Sequence, residues 1–220
     1  MPGLAQRAGE SSLTSFTSVR RGTPVVCNVV AGVTPPPYLS TAVGFVSETL
    51  MIVLETDRLV LRHLTLNDAP FIMELVNEPS CLRFIGDRGV RAQQDARQYI
   101  LKGPIASYNR HGFGLYLVFV KETGDSIGMC GLLKRDSLPD ADVGFAFLPA
   151  HWRQGYALEA ASAVMSYGRG ALGMKRILAI TAPDNHASIA LLEKMGMKFE
   201  KVTRLEGETK DVRLFATEAP

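Results

Sequence analysis

The stretch Asp142-Val143-Gly144-Phe145-Ala146-Phe147-Leu148-Pro149-Ala150-His151-Trp152-Arg153-Gln154-Gly155-Tyr156-Ala157-Leu158-Glu159-Ala160 constrains the fold most, because it joins a strand to a helix through one tight turn. Asp142 to Leu148 reads as a short strand that Pro149 ends. From Gly155 to Leu172 small and apolar residues recur at helical spacing, and Gly173 closes the helix. The first N–H groups of such a helix have no intrahelical acceptors and lie at the positive end of its dipole, so they can converge on an anion. Gly155 allows close backbone approach, Ala157 leaves the helix start uncrowded, and Arg153 adds a fixed positive charge. Alone, an R-x-G-x-A pattern is equally a surface arginine beside an ordinary helix cap.

A second unit of the same kind follows about thirty residues on. The apolar strand Arg176 to Thr181 runs into the polar turn Ala182-Pro183-Asp184-Asn185 and an amphipathic helix from Ala187 to Met195, closed by Gly196. Asn185 offers a donor and an acceptor to an amide-bearing ligand arm, and Ser188 faces the same way one turn later. Asp184, Asn185 and Ser188 are also good capping residues, so capping alone accounts for each.

The remaining elements are shorter. Ile52 to Arg62 reads as one strand, followed by a helix from about Asn67 with Pro70 in its first turn, where a missing N–H costs nothing. A helical stretch from Ala92 to Asn109 is interrupted at Gly103-Pro104. Phe113 to Lys121 and Ser126 to Leu133 flank Glu122-Thr123-Gly124-Asp125 and read as an antiparallel hairpin. Met197 to Val202 and Val212 to Phe215 supply the last strands. The class is mixed α/β (α+β), with a mostly antiparallel sheet and one domain over residues 51–220.

Residues 1–50 differ: they are rich in Ser, Thr, Gly and Pro, include Pro35-Pro36-Pro37, and show no periodicity. Disorder is expected there. Met51 then reads as a natural start behind an extension, while Arg7, Arg20 and Arg21 with few acids leave a targeting peptide as the other reading. Gly22 to Ser47 carries no charge, but the three prolines make it a poor membrane span.

The two strand-turn-helix units resemble the acetyl-CoA-binding motifs of the GNAT superfamily of N-acetyltransferases. With the opening Leu54-Glu55-Thr56-Asp57-Arg58-Leu59-Val60-Leu61-Arg62, they are most similar to the branch that acetylates N-termini of ribosomal proteins. The resemblance covers most of Leu54 to Ala216. It implies a strongly twisted sheet, flanked by helices and splayed near Asp142 to Leu148, with pantetheine inserted as an extra strand. Amides near Phe147 and Leu148 would pair with that arm, while Arg153 and the amides of Gln154, Gly155, Tyr156, Ala157 and Leu158 would hold the pyrophosphate. Asn185 and Ser188 would meet the arm from the other side.

The resemblance also implies direct attack of an amine on the bound thioester. Cys81, Cys130 and Ser188 have no His or acid visibly placed to activate them as nucleophiles. Asp142 occupies the strand position at which the histone-acetylating branch carries its glutamate base; it is equally an exposed strand-end acid beside Asp140. Glu159 stabilises a helix start without doing chemistry. Where many members place a thiolate-protonating tyrosine this chain has Leu192, leaving Ser188, Tyr156 or water for that step. His63, His111, His151 and His186 show no ligand spacing, although His151 lies near the loop in sequence. Arg83, Arg88 and Arg91, near the stretch lining the acceptor side in such a fold, suit an acidic acceptor or simply a solvated face.

Bulk properties narrow the partners. Lys plus Arg number 24 against 22 Asp plus Glu, too even for a phosphate-tracking nucleic-acid surface. Cys27, Cys81 and Cys130 form no CxxC or CxxH pattern, so no metal is expected and the thiols read as reduced in a cytoplasmic protein. The expected ligands are acetyl-CoA as co-substrate and an amine-bearing acceptor, a peptide N-terminus or small molecule, with no membrane partner and a monomer or homodimer. A catalytically inactive acyl-CoA sensor or partner-binding domain is the alternative. A nucleoside-triphosphatase lacks its required G-x-x-x-x-G-K-[ST].

Overall fold

Residues 51–207 and 209–218 are described in the computed structural model, and the expectations for the first fifty residues lie outside them. The predicted single strand at the start is two: β1 (Ile52–Glu55) and β2 (Leu59–Arg62) pair antiparallel. Thr56 makes the turn, its Oγ1 accepting from the Leu59 amide at 2.9 Å while its own amide donates to the Leu59 carbonyl at 3.0 Å. A threonine that bonds locally offers the backbone an alternative to the ladder, which apolar periodicity does not register.

Beyond β2 come a short 3₁₀ turn, Leu66–Asp68, and α1 (Ala69–Asn77) with Pro70 near its start, as expected. α2 (Pro79–Phe84) was not foreseen. α3 (Gln93–Ile100) and α4 (Ala106–His111) are not broken at Gly103-Pro104 but joined by the π-helical turn Leu101–Ile105, which accommodates the proline without ending the helix. β3 (Leu115–Val120) and β4 (Ser126–Leu133) form the predicted hairpin. β5 (Asp142–Phe147), α5 (Tyr156–Gly170), β6 (Leu178–Thr181), α6 (His186–Lys194), β7 (Lys198–Arg204) and β8 (Asp211–Ala216) follow.

Among the described residues the sheet has eight strands in the order β1-β2-β3-β4-β5-β6-β8-β7. Every neighbouring pair is antiparallel except β5 with β6, which run parallel and meet only at Asp142 and Leu178. From that bridge the two strands separate, so the sheet is splayed at its centre, with β5 running on to Phe147 along one side of the gap.

Period-two alternation sends side chains to two apolar layers. Val143 and Phe147 share a core with Leu59, Leu61, Ala160, Val164 and Ile189, on the face covered by α5 and α6. Ala146 and Met129 pack with Ile72, Leu75, Ala96 and Ile100, on the face covered by α1 and α3. Leu178 and Leu214 anchor a smaller cluster on the β6-β8 side. Among the described residues no helix is long and apolar enough to cross a membrane.

Candidate functional site

The edge of β5 facing the gap is set by register. Leu148 donates to the Ile127 carbonyl at 2.9 Å, and β4 pairs with β5 without a bulge. Antiparallel partners alternate between exchanging bonds and facing away, so the amide groups of Val143, Phe145 and Phe147 turn away from β4 toward β6. Beyond the Asp142–Leu178 bridge no described strand pairs with that edge. The Phe147 carbonyl is occupied by the Trp152 indole, which donates to it at 2.7 Å, and the Phe147 N–H remains aimed into the gap.

Past β5, Pro149–His151 makes one 3₁₀ turn and Arg153 to Gly155 form the expected loop. Gly155 is the N-cap of α5 at φ 84°, a left-handed conformation that explains why glycine stands there. Arg153, at φ 59°, is the one non-glycine residue at positive φ among the described residues. Glycine brings no capping side chain, and among the described residues no other side chain bonds the first amides of α5. The Glu159 amide bonds back to the Gly155 carbonyl at 3.0 Å, which leaves the amides of Tyr156, Ala157 and Leu158 without intrahelical acceptors. Arg153, Gln154 and Gly155 are exposed; Gln154 Nε2 reaches the Ala150 carbonyl at 3.0 Å.

The second unit is capped. Asn185 Oδ1 accepts from the Ser188 amide at 3.1 Å, so its oxygen serves α6 and its Nδ2 stays available as a donor. Ser188 is half-buried on the same turn. Asp184 pairs instead with Arg83 of α2 at 2.8 Å, joining the α1–α2 layer to the β6 side of the splay. Leu192 is buried in the core and supplies no acid.

Asp142 is not an exposed strand-end acid. It is 1% exposed, with Oδ1 accepting from Arg135 Nε at 2.9 Å and Oδ2 buried without a hydrogen-bond partner. Burial raises its pKa above the ordinary carboxylate value, against the opposing pull of Arg135. By alternation with Ala146 its side chain points to the α1–α3 face. Arg135 carried no signal in the sequence, because it lies in the loop between β4 and β5 and only the fold brings it to Asp142.

Two further residues at the loop escaped sequence reasoning. Arg58 donates through Nη1 to the Gln154 carbonyl at 3.0 Å, and its guanidinium lies 4.6 Å from the centre of the Tyr156 ring. Glu159, expected only to favour the helix start, binds Arg58 through Oε2 at 2.6 Å. Burial opposes ionisation of Glu159, but hydrogen bonds from Thr56 and Arg58 outweigh it and hold the carboxyl below its ordinary value. A glutamate in the first turn of a helix was the visible half of this pair; its partner is 101 residues away.

The histidines lie apart from the loop or beside it. His63 stacks on Tyr108 at 3.9 Å, and burial lowers its pKa. His151 lies 6.4 Å from the Tyr156 ring. Cys81 and Cys130 are buried free thiols, with burial pushing Cys81 up to about 11 and Cys130 higher still. Among the described residues no group of three or more His, Cys, Asp or Glu could hold a metal ion.

The model of the acetyltransferase (GNAT) domain family matches residues 58–198 of this chain. A protein named uncharacterized N-acetyltransferase YoaA, from Bacillus subtilis, is 36% identical over 154 residues, spanning 69% of this chain and 86% of its own length. Among solved structures, an acetyltransferase from Agrobacterium tumefaciens aligns with a TM-score of 0.65 at 24% identity, over 75% of this chain and 93% of that one. RimL, a ribosomal L7/L12 α-N-protein acetyltransferase crystallised with coenzyme A, aligns with a TM-score of 0.60 at 20% identity, over 75% of this chain and 96% of its own. At these identities the structural likeness is one of fold.

Proposed function

The chain belongs to the GNAT acetyltransferase family, and from that premise we propose that it transfers the acetyl group of acetyl-CoA to a primary amine, at a protein N-terminus or on a small molecule. The observation that carries the reading is the uncapped start of α5: three orphan amides behind a left-handed glycine, beside an arginine and at the mouth of a splayed sheet. In this reading the Gln154 to Leu158 amides and Arg153 hold the pyrophosphate. The Phe147 amide on β5 pairs with the pantetheine arm, which Asn185 and Ser188 meet from the β6 side; the Leu148 amide, expected to join it, is held by the Ile127 carbonyl of β4 and gives the arm no donor. Acetyl-CoA supplies an activated acyl group, and the chain supplies position and proton transfer.

The amine must be neutral to attack. For an α-amine with a pKa near 8 this costs about 1.4 kcal/mol at pH 7, against about 4.6 kcal/mol for a lysine. Asp142 suits the first task as base: Oδ2 has no partner, burial raises its proton affinity, and Arg135 holds its other oxygen. Cys81 and Cys130, buried and poorly ionised, leave the amine itself as the nucleophile. Ser188 remains the candidate donor to the departing thiolate. The RimL neighbour, named for acetylating a ribosomal protein's α-amine, suggests a peptide N-terminus as one acceptor to try. The proposed location is the cytoplasm.

Thiol release from acetyl-CoA, measured over a panel of peptide N-termini and small amines, tests the proposal. Turnover on an amine supports it; tight coenzyme A binding without turnover on any amine favours the acyl-CoA sensor. Replacing Asp142 by Asn is expected to slow the reaction mainly at neutral pH, and an unchanged pH profile would remove Asp142 from the mechanism.

A further inference from the structure

The loop that carries the proposed phosphate seat does little to hold itself in place. Arg153 and Gly155 both sit at positive φ, the three loop residues are exposed, and among the described residues no side chain caps the helix behind them. Left-handed backbone at a non-glycine residue costs about 1 kcal/mol or more and persists only where the surroundings enforce it.

A side chain from the turn between β1 and β2 grips this loop. Arg58 Nε and Nη2 donate to Glu159 Oε2 at 2.7 and 2.6 Å, and Nη1 donates to the Gln154 carbonyl at 3.0 Å. The flat guanidinium face lies over Tyr156. Glu159 is fixed in turn, its Oε1 accepting from Thr56 Oγ1 at 2.6 Å and from the Arg58 amide at 3.0 Å. One planar cation therefore touches the loop at Gln154, the first helical residue at Tyr156, and the first-turn acid at Glu159. An arginine fork can impose that geometry; a lysine, a point charge on a flexible stem, cannot.

We propose that Arg58 and Glu159 are positioning residues for the phosphate loop, with Glu159 locking the guanidinium so that it holds the amides of Tyr156, Ala157 and Leu158 converged on one phosphate. The inference rests on the reading of that loop as an acyl-CoA site. It makes a prediction opposite in sign to simple electrostatics. A carboxylate beside a polyanionic ligand is repulsive, so neutralising Glu159 should tighten binding if its charge is all that matters. If it braces the loop, neutralising it should weaken binding.

Calorimetric titration of coenzyme A into wild type, Glu159→Gln, Arg58→Lys and Gly155→Glu, with a thermal melt of each, decides between these. We expect Glu159→Gln to bind coenzyme A about tenfold more weakly despite the lost negative charge. Arg58→Lys should fall short of wild type although it keeps its charge, while both variants remain folded. Equal or tighter binding by Glu159→Gln, or wild-type affinity in Arg58→Lys, overturns the bracing role. When wild type binds, Gly155→Glu does not, and Glu159→Gln is unaffected, the bracing role alone fails. A wild-type protein that binds no coenzyme A removes the functional reading and the inference with it.

Discussion

Replacing Gly155 separates the geometry of the loop from its charge. The residue sits at φ 84°, and a Cβ there would come within 3.3 Å of Arg58 Nη2, the movable end of a long side chain. Alanine therefore meets mainly backbone strain, about 1–2 kcal/mol for a left-handed L-residue. At about 2–4 °C per kcal/mol for a domain of this size, the melt should drop by a few degrees. Glutamate carries the same strain and adds a negative charge to the proposed phosphate seat. At a separation of about 6 Å and an effective dielectric near 20, repulsion from one phosphate charge is about 3 kcal/mol, roughly a hundredfold in affinity. Calorimetry with coenzyme A at physiological ionic strength reads the binding, and differential scanning calorimetry reads the strain. Both variants should melt alike, and only glutamate should lose binding by that further factor. A glutamate variant that binds coenzyme A as tightly as the alanine variant would refute the placement of phosphate on this loop.

Other consequences reach the scaffold. Arg62 and Asp68 pair at 2.7 Å with side chains only 12% and 10% exposed; burial opposes ionisation of Asp68, but Arg62 and the Thr65 amide outweigh it and hold its pKa below the ordinary value. Asp68→Asn should therefore cost about 3 kcal/mol in urea unfolding near pH 7. Because the folded-state pKa is depressed, this contribution is present above about pH 4 and is lost as pH falls through the folded value, so the gap between variant and wild type should narrow in acid; a constant gap would contradict the pairing. Gly131→Ala would place a Cβ 2.0 Å from the Gly114 carbonyl oxygen, a backbone clash, so its thermal melt should show a loss above the about 1–3 kcal/mol of ordinary overpacking. Cys81 and Cys130 should stay unlabelled by a disulfide reagent in the folded domain and react once it is unfolded, as peptide mapping would read; rapid labelling of the native protein would show that their burial is wrong.

Much of the architecture was legible because its signals are local. The Leu148-Pro149 stop and Gly173 behind α5 follow from the conformations those residues permit, and the hairpin from Leu115 to Leu133 follows from apolar runs around a turn, whereas Gly155, which helical spacing alone puts inside α5, is its left-handed N-cap. Errors came where a side chain redirected the backbone. Thr56 splits the opening strand, and Pro104 sits inside a π turn instead of ending a helix. α2 lacks a full apolar stripe, being six residues with Cys81 alone buried, so periodicity had little to find. For the site, the loop and the Asn185 turn could be located from sequence, but the ties that condition them could not. Arg135 on Asp142 and Arg58 on Glu159 are contacts the fold creates, and Asp142 read equally as an exposed acid until packing placed it at 1% exposure.

The most direct test of acetyl transfer is to incubate the protein with acetyl-CoA and an amine panel, quantifying free coenzyme A thiol and acetylated amine in the same samples. Asp142→Asn, assayed alongside, reports on the proposed base. The proposed function predicts that thiol and acetylated product appear in equal amounts on at least one amine and that both fall together in the Asp142→Asn protein near neutral pH. Coenzyme A bound tightly with neither product formed on any amine would contradict it.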